Sequence, residues 1–218
     1  MIQKTTLDFL RDLKENNTKD WFQRNKSTFE KASESFSLFT EYMIAEIEKF
    51  DKSVKGVRAK DCIFRIYKDV RFAKDKSPYK TNFGAYIKKG GKKNPGAGYY
   101  IHVENGDSFI GGGCYCPPSR ELAKIREAID KDPKPLKKII EHPNFKNEFG
   151  ELTGDKVKTA PKGFAKDHPE IGLLQFKSYL VLKNISNKVV VAQDFKDICA
   201  NAFKLMYPLN EYLNKILM

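Results

Sequence analysis

Cysteine, tryptophan and histidine are scarce in this sequence, which has four, one and three of them among 218 residues. Four scattered cysteines do not make the disulfide framework of a small secreted domain, so we expect free thiols. The longest apolar runs, such as SYLVL and KVVVA, are far shorter than the roughly 20 residues that cross a bilayer. The first residues, MIQKTTLDFLRDLKENN, mix apolar and charged side chains, unlike a secretory signal. These absences predict a cytoplasmic protein without a membrane span.

Basic residues are in excess along the whole chain. Forty Lys and Arg residues against 28 Asp and Glu residues give a formal charge of +12. This excess attracts anionic partners over a distance, although a solvated basic surface explains the spread of lysines equally well. The length and the 40% of hydrophobic residues are typical of one globular protein, so we predict a single domain over residues 1–218.

Helical and strand patterns occur in separate blocks. Leu7, Leu10 and Leu13, followed by a stripe that includes Phe36 and Met43, predict N-terminal helices with one apolar face. From residue 61 the period changes to two, and CIFRIY, FGAYIKK, GYYIHVE, SFIGGG and later KSYLVLKNIS are typical of short strands. ELAKIREAI and the residues from 194 onward predict further helices, the last interrupted near Pro208. This order predicts an α+β fold, in which N-terminal and C-terminal helices pack on a mainly antiparallel sheet.

The segment RIYKDVRFAKDKSPYKTNFG, residues 65–84, contains the clearest candidate site. Its basic residues alternate with Asp69 and Asp75, and they are Arg65, Lys68, Arg71, Lys74, Lys76 and Lys80. A guanidinium presents a planar fork to phosphate or carboxylate, and a strand position would leave Arg65 open, paired with an acid, or in a site. Pro78 and Tyr79 predict a turn that brings Lys76 and Lys80 back over the sheet.

Two interpretations of this segment stay open. In the first, its charges pair with one another at the surface, where each pair contributes less than about 1 kcal/mol. In the second, the segment binds an anionic ligand with a phosphate or carboxylate group. The ligand-binding residues would then be Arg65, Arg71, Lys76 and Lys80 for the anion, Tyr79 for the shape of the pocket, and Asp69 and Asp75 for orienting the basic side chains.

Histidine in a loop suggests an enzyme as an alternative. His168 follows Asp167 in KDHPE, and a histidine can exchange protons near neutral pH, although it can equally cap a turn. An acid-base or hydrolytic enzyme would use His168 and Asp167 as catalytic residues at the same site. His102, which shares a strand face with Tyr100 and Glu104, gives less information.

The remaining motifs favour structural roles. GGGCYCPPS lacks the Gly-Lys-Ser/Thr of a phosphate loop, so its glycines indicate a bulge or the close approach of two backbones. Cys114 and Cys116 do not have the spacing of a zinc site, and we expect both to be buried as small apolar residues. The sequence identifies neither a metal site nor a cofactor.

A nucleic-acid partner is the third hypothesis. Aromatic residues interleaved with basic ones can stack on bases, and here these are Tyr67, Phe72, Tyr79, Tyr86, Tyr99 and Tyr100. The signature of RNA-recognition motifs is missing, and aromatic residues at strand spacing more often form a core. A basic interaction module that docks on nucleic acid or an acidic protein therefore stays an alternative to a pocket.

Several long motifs together resemble those of a known family. They occur in the order FLRDLKENNTKDWFQRNKSTFE, RIYKDVRFAKDKSPYKTNFG, GYYIHVENGDSFIGGGCYCP with LAKIREAI after it, and APKGFAKDHPEIGLLQFKSY. The chain resembles the domain-of-unknown-function family 2461, uncharacterised proteins from bacteria and fungi, over nearly its whole length. The resemblance implies a single-domain α+β protein and no known activity. Its hallmark residues would be Trp21, Asn25, Arg65, Asp69, Arg71, Phe72, Asp75, Lys76, Pro78, Tyr79, Lys80, Gly112, Gly113, Pro117, Arg126, Gly163, Asp167, His168 and Pro169.

Overall fold

A computed structural model of the chain describes residues 1–71 and 74–217. Its helices are α1 (Lys4–Glu15), α2 (Lys19–Arg24), α3 (Lys26–Glu48), α4 (Ala59–Cys62), α5 (Ser119–Lys131), α6 (Lys134–Ile140), α7 (Pro143–Phe149), α8 (Ile171–Leu174), α9 (Asn187–Val190) and α10 (Phe195–Leu217). The strands are β1 (Asn82–Ile87), β2 (Gly98–Glu104), β3 (Ser108–Cys114) and β4 (Tyr179–Ile185). They form one antiparallel sheet in the order β1-β2-β3-β4. The predicted α+β fold, with helices at both ends of the chain, is confirmed.

The chain divides into two compact units. The first comprises Met1–Lys93, Tyr100–Ile110 and Asn184–Asn201. The second comprises Asn94–Tyr99, Gly111–Lys183 and Ala202–Met218. Strands β2, β3 and β4 and helix α10 contribute residues to both units.

The core of the first unit forms where α3 meets β1. The apolar stripe of α3 is buried, and the ring of Phe36 lies 5.5 Å from that of Phe83 on β1. Farther along the same helix, Phe39 stacks on Phe195 at 5.1 Å, and Met43 is buried. The predicted stripe therefore packs on β1 of the sheet, and removing these aromatic rings from water stabilises this unit.

The segment before the basic motif differs from the predicted strand. Residues 59–62 form the short helix α4, and Glu41 on α3 accepts a hydrogen bond from the N–H of Ala59 at 2.8 Å. That contact satisfies a backbone donor at the start of the helix, and it joins residues that are far apart in the sequence. Between α4 and β1, the described residues form two isolated bridges, from Ile63 to Ala85 and from Tyr67 to Tyr79. Arg65 thus lies on an extended segment and not inside a regular strand.

In the second unit, β3 and β4 approach each other closely at a glycine. A side chain at Gly113 would place its Cβ atom 2.1 Å from the carbonyl oxygen of Tyr179, and the φ angle of Gly113 is 121°. The predicted close approach of two backbones is confirmed. Cys114 is buried as expected, but the expectation for Cys116 is wrong, because the strand has ended and its side chain is exposed.

The long helices meet the requirements of packing and not those of a bilayer. Helix α10 runs through Pro208 as one element, where the sequence predicts an interruption. Among residues 1–71 and 74–217, every helix is too short or too polar to span a membrane.

Candidate functional site

The basic segment folds back on itself in the first unit. The N–H of Lys68 donates to the Pro78 carbonyl at 2.9 Å, and the N–H of Lys80 donates to the Ile66 carbonyl at 2.8 Å. Asn17, between α1 and α2, holds the returning chain through both backbone groups of Tyr79, at 2.9 and 3.1 Å. Because an amide side chain can donate and accept at once, Asn17 pairs with Tyr79 as a neighbouring strand would.

Several charges of this segment are compensated locally. Arg71 makes a bidentate pair with Asp69, at 2.9 and 2.7 Å, and this pair lowers the pKa of Asp69 to about 2. Lys68 pairs with Asp75, and its hydrogen bond holds the pKa of Asp75 far below the ordinary value. Lys76 donates to the Val70 carbonyl at 2.9 Å. The predicted residue Phe72 lies outside the described residues.

Arg65 and Lys80 are placed differently. Within the described part of the chain, neither side chain has a carboxylate within 4.0 Å. Arg65 is exposed, whereas Lys80 is half-buried, with its Nζ atom 5.4 Å from the centre of the Phe64 ring. Partial burial and, to a smaller extent, the charge of Arg65 lower the pKa of Lys80. Two like charges therefore lie near each other without a compensating acid at Lys80.

A cavity of about 460 Å³ opens beside Lys80. Its walls come from the end of α1, the basic segment and the start of β1, and they consist of Lys14, Asn17, Lys68, Asp75, Ser77, Tyr79, Lys80, Thr81 and Asn82. This volume is within the range of cavities that bind small molecules. Three of its nine residues are lysines, and one is a carboxylate that Lys68 already neutralises. The cavity is therefore basic.

A hydrogen-bonded chain of polar side chains lies on the face of β2 next to this cavity. The Tyr100 hydroxyl is 3.2 Å from Nδ1 of His102, and Nε2 of His102 is 3.1 Å from Oε2 of Glu104. Asn82, on β1, places its Nδ2 atom 3.4 Å from the same Nδ1. We call Tyr100, His102 and Glu104 the β2 triad. Sequence reasoning gave it little weight, although the alternation of residues 100, 102 and 104 on one strand face was the signal for it.

The surroundings of the β2 triad fix the orientation of the His102 ring. Phe109 on β3 stacks on the ring at 4.5 Å and 11°. Thr81 donates to Oε1 of Glu104 at 2.7 Å, so that the Oε2 atom is directed to His102. The side chains of His102 and Glu104 are only 13% and 14% exposed. Such shielding strengthens hydrogen bonds between charged and polar groups.

His168 lies in the second unit, with partners from that unit. Its Nδ1 atom accepts a hydrogen bond from the N–H of Glu170 at 3.0 Å, and its Nε2 atom is 2.9 Å from Oδ1 of Asp130. These contacts let the ring cap the turn before α8. Asp167 is exposed. The basic segment belongs to the first unit, so a joint site with His168 stays a prediction.

Metal ligands do not gather in the described residues. No group of three or more His, Cys, Asp or Glu side chains is placed there to hold a metal ion. Cys62, Cys114, Cys116 and Cys199 carry thiol groups and are not in disulfide bonds.

Comparison with known proteins bears on the family and not on the activity. The profile of the family described as conserved hypothetical protein (DUF2461) matches residues 5–212. Neither the curated proteins nor the solved structures contain a match. The profile covers nearly the whole chain, which therefore belongs to the DUF2461 family of conserved hypothetical proteins.

Proposed function

We propose that the protein binds a small anionic ligand, one with a phosphate or carboxylate group, in the basic cavity of the first unit. The observation that carries this proposal is the position of Lys80. Lys80 is half-buried, lines the cavity, and has no carboxylate partner among the described residues. A cation in such a position is stabilised by an anion that enters the cavity.

The other cations contribute less to the proposed site. Lys68 already has the carboxylate of Asp75 beside it, so a ligand would have to compete with that acid. Lys14 is 62% exposed and lies 3.7 Å from Glu104, and water screens its charge. Arg65 is near enough to Lys80 to lower the pKa of Lys80, so an anion between them would relieve their repulsion. We therefore assign most of the binding free energy to Lys80, with support from Arg65.

Titration with inorganic phosphate tests the proposal. Replacing Lys80 by glutamine removes the cation and keeps a polar side chain of similar length. We expect Lys80→Gln to weaken phosphate binding about tenfold or more, which corresponds to ~1.4 kcal/mol. Isothermal titration calorimetry, supported by the thermal shift that a native-state ligand causes, measures the change.

The matched control is Lys52→Gln. Lys52 is exposed on the 3-10 helix Lys52–Val54 and does not line the cavity. Each of the two variants removes one lysine charge, so they have the same net charge. Its affinity for phosphate should stay within about twofold of the wild type, as expected for an exposed charge outside the cavity. Equal losses in the two variants, or none in Lys80→Gln, would contradict the proposal.

Asp75 provides a second test with the opposite sign. An asparagine at this position would keep a carbonyl oxygen that can accept the N–H of Ser77, now 2.8 Å from Oδ1, but it would remove the charge that neutralises Lys68. We expect Asp75→Asn to bind phosphate several-fold more tightly, because Lys68 becomes available to the ligand. The same titration measures this, and weaker binding would show that the anion does not reach Lys68.

The other hypotheses have less support. The enzyme that uses His168 and Asp167 stays a prediction, since the contacts of His168 serve a turn. A basic module for nucleic acid or an acidic protein is supported by the overall charge of +12 and by the 52% exposure of Tyr67. The dependence of its binding on salt distinguishes such a module from a pocket for a small anion.

A further inference from the structure

We propose that the β2 triad is a proton-transfer site, in which His102 acts as the base for the hydroxyl group of Tyr100. The site makes the protein an acid-base catalyst in addition to a binding protein. Its residues belong to the first unit, whereas the enzyme site that the sequence suggested around His168 belongs to the second.

The hydrogen bonds of His102 define where its proton lies. The Nδ2 group of Asn82 is a donor, so Nδ1 of His102 accepts, and the proton of the neutral ring is on Nε2. That proton is directed at Oε2 of Glu104, 3.1 Å away. The Tyr100 hydroxyl, 3.2 Å from Nδ1, therefore donates to the single lone pair of that nitrogen, which it shares with the longer contact from Asn82 at 3.4 Å. Proton transfer from Tyr100 to His102 would need no rotation of the ring.

Glu104 is the positioning residue of this arrangement. Its carboxylate lies behind the imidazole, where it stabilises the imidazolium that forms when Nδ1 accepts the proton. A hydroxyl, an imidazole and a carboxylate in this order form the arrangement with which a weak nucleophile or acid is activated. Thr81 and Phe109 fix the carboxylate and the ring, and this preorganisation lowers the cost of the transfer.

The hydroxyl of Tyr100 has space because β1 has a glycine opposite it. A Cβ atom at Gly84 would lie 2.7 Å from the hydroxyl oxygen. The Gly84 backbone is not in the left-handed region, so the requirement at this position is for space and not for a special conformation. Tyr100 as a whole residue is only partly buried.

Two residues connect the β2 triad with the basic cavity. Thr81 and Asn82 line the cavity, and the same side chains bond to Glu104 and His102. The class of substrate rests on the proposed function: a phosphate- or carboxylate-bearing molecule with a hydroxyl group or an acidic C–H bond. In the reaction, the Tyr100 oxygen accepts a proton from the substrate while its own proton moves to Nδ1 of His102. The substrate becomes an anion, and the imidazolium is paired with Glu104.

Acetylation of tyrosines by N-acetylimidazole tests the β2 triad without a known substrate. A bond forms between the tyrosine oxygen and the acetyl carbon, the bond from that carbon to the reagent's nitrogen breaks, and the hydroxyl proton ends on the imidazole that leaves. Peptide mass spectrometry gives the rate at each tyrosine. We expect Tyr100 to react about tenfold or more faster than Tyr67 and Tyr115, although these are 52% and 73% exposed.

Variants identify the base. His102→Gln keeps a polar side chain but cannot take up the proton, so the rate at Tyr100 should fall about tenfold or more, with Tyr67 and Tyr115 unchanged. Glu104→Gln should give an intermediate rate. In the wild type, a Tyr100 that reacts no faster than the two exposed tyrosines overturns the proposal even if a variant fails to fold. An unchanged rate in folded His102→Gln also overturns it.

The failures of the two proposals are distinguishable. Because Thr81 and Asn82 connect the two sites, the proposals are told apart by which effect is larger: Lys80→Gln should weaken phosphate binding more than it slows the acetylation of Tyr100, and His102→Gln should do the reverse. Phosphate binding without fast acetylation removes the proton-transfer site alone. Fast acetylation without phosphate binding would contradict the proposed anion site, and the substrate class that rests on it, but not the proton-transfer site.

Discussion

Lys68 and Lys80 line the same cavity but differ in what compensates their charge. Lys68 has Asp75 within hydrogen-bonding distance, whereas among residues 1–71 and 74–217 the Lys80 charge lies near the ring of Phe64 and the repelling charge of Arg65. The sequence places both lysines in one acidic and basic segment, so it leaves open which of them pairs internally. The ion-pair interpretation holds for Arg71 and Lys68, whereas the ligand-binding interpretation stays a proposal, which rests on Lys80.

The four cysteines also differ residue by residue, which leads to a prediction about their reactivity. Burial raises the pKa of the Cys62 thiol to about 11, and Cys114 and Cys199 are buried as well, whereas Cys116 is exposed. Because the thiolate is the reactive form, Cys62 should stay unreactive near pH ~8, and Cys116 should react fast. Titration of the native protein with Ellman's reagent should therefore give one rapid equivalent, and all four thiols should react in guanidinium chloride.

Cys116→Ser is the control for this experiment. The variant should lose the rapid equivalent and keep its fold, since the side chain of Cys116 is exposed and Ser178 bonds to its backbone N–H, at 2.9 Å. If a rapid equivalent persists in this variant, at least one of Cys62, Cys114 and Cys199 is accessible to the reagent. The prediction that all three are protected by burial would then be wrong.

At the scale of elements, the period of two predicts which residues share a face of β2. It puts Tyr100, His102 and Glu104 on one side, as the hydrogen bonds confirm. That these side chains form one hydrogen-bonded group with Thr81 and Asn82 could not be predicted, because those contacts depend on the register between two strands. Helix α4 was missed for a similar reason: the contact that satisfies its first residues comes from Glu41, on a distant helix.

The contact between β3 and β4 gives a prediction about stability. Gly113→Ala would place a methyl group 2.1 Å from the Tyr179 carbonyl oxygen at a φ of 121°, so two backbones would have to separate. Strain and overpacking together should lower the free energy of unfolding by about 3 kcal/mol or more. Urea unfolding, followed by circular dichroism, measures the change.

Gly172→Ala is the matched control in the same unit. Gly172 lies in α8 with no atom within 4 Å of an added Cβ, and its backbone is not left-handed. Alanine also favours a helix more than glycine does, so this variant should be as stable as the wild type or gain about 1 kcal/mol or less. A Gly113→Ala variant that unfolds at the same urea concentration as the control would show that β3 and β4 are not in close contact there.

For the whole molecule, the excess of basic residues sets up a competition between a pocket and a diffuse surface. The net charge of +12 attracts any polyanion, and the lysines that contribute to it are spread along the chain. Nucleic acid bound by such a surface releases counterions, with a slope of log K against log salt of about −0.7 for each phosphate that is neutralised in a single strand. A single phosphate ion in a cavity neutralises few charges, so its slope should be shallow.

We therefore expect the two ligands to respond differently to salt and to mutation. Inorganic phosphate should bind with a slope of roughly −1 to −2, and its affinity should depend on Lys80. A single-stranded oligonucleotide should show a steeper slope, and Lys80→Gln and Lys52→Gln should weaken it equally, because each removes one of many dispersed charges. Fluorescence anisotropy and calorimetry at salt concentrations from about 50 to about 300 mM, the range over which such slopes are resolved, measure both. If the oligonucleotide depends on Lys80 far more than on Lys52 and phosphate does not bind, the cavity is part of a nucleic-acid surface and the small-ligand proposal is wrong.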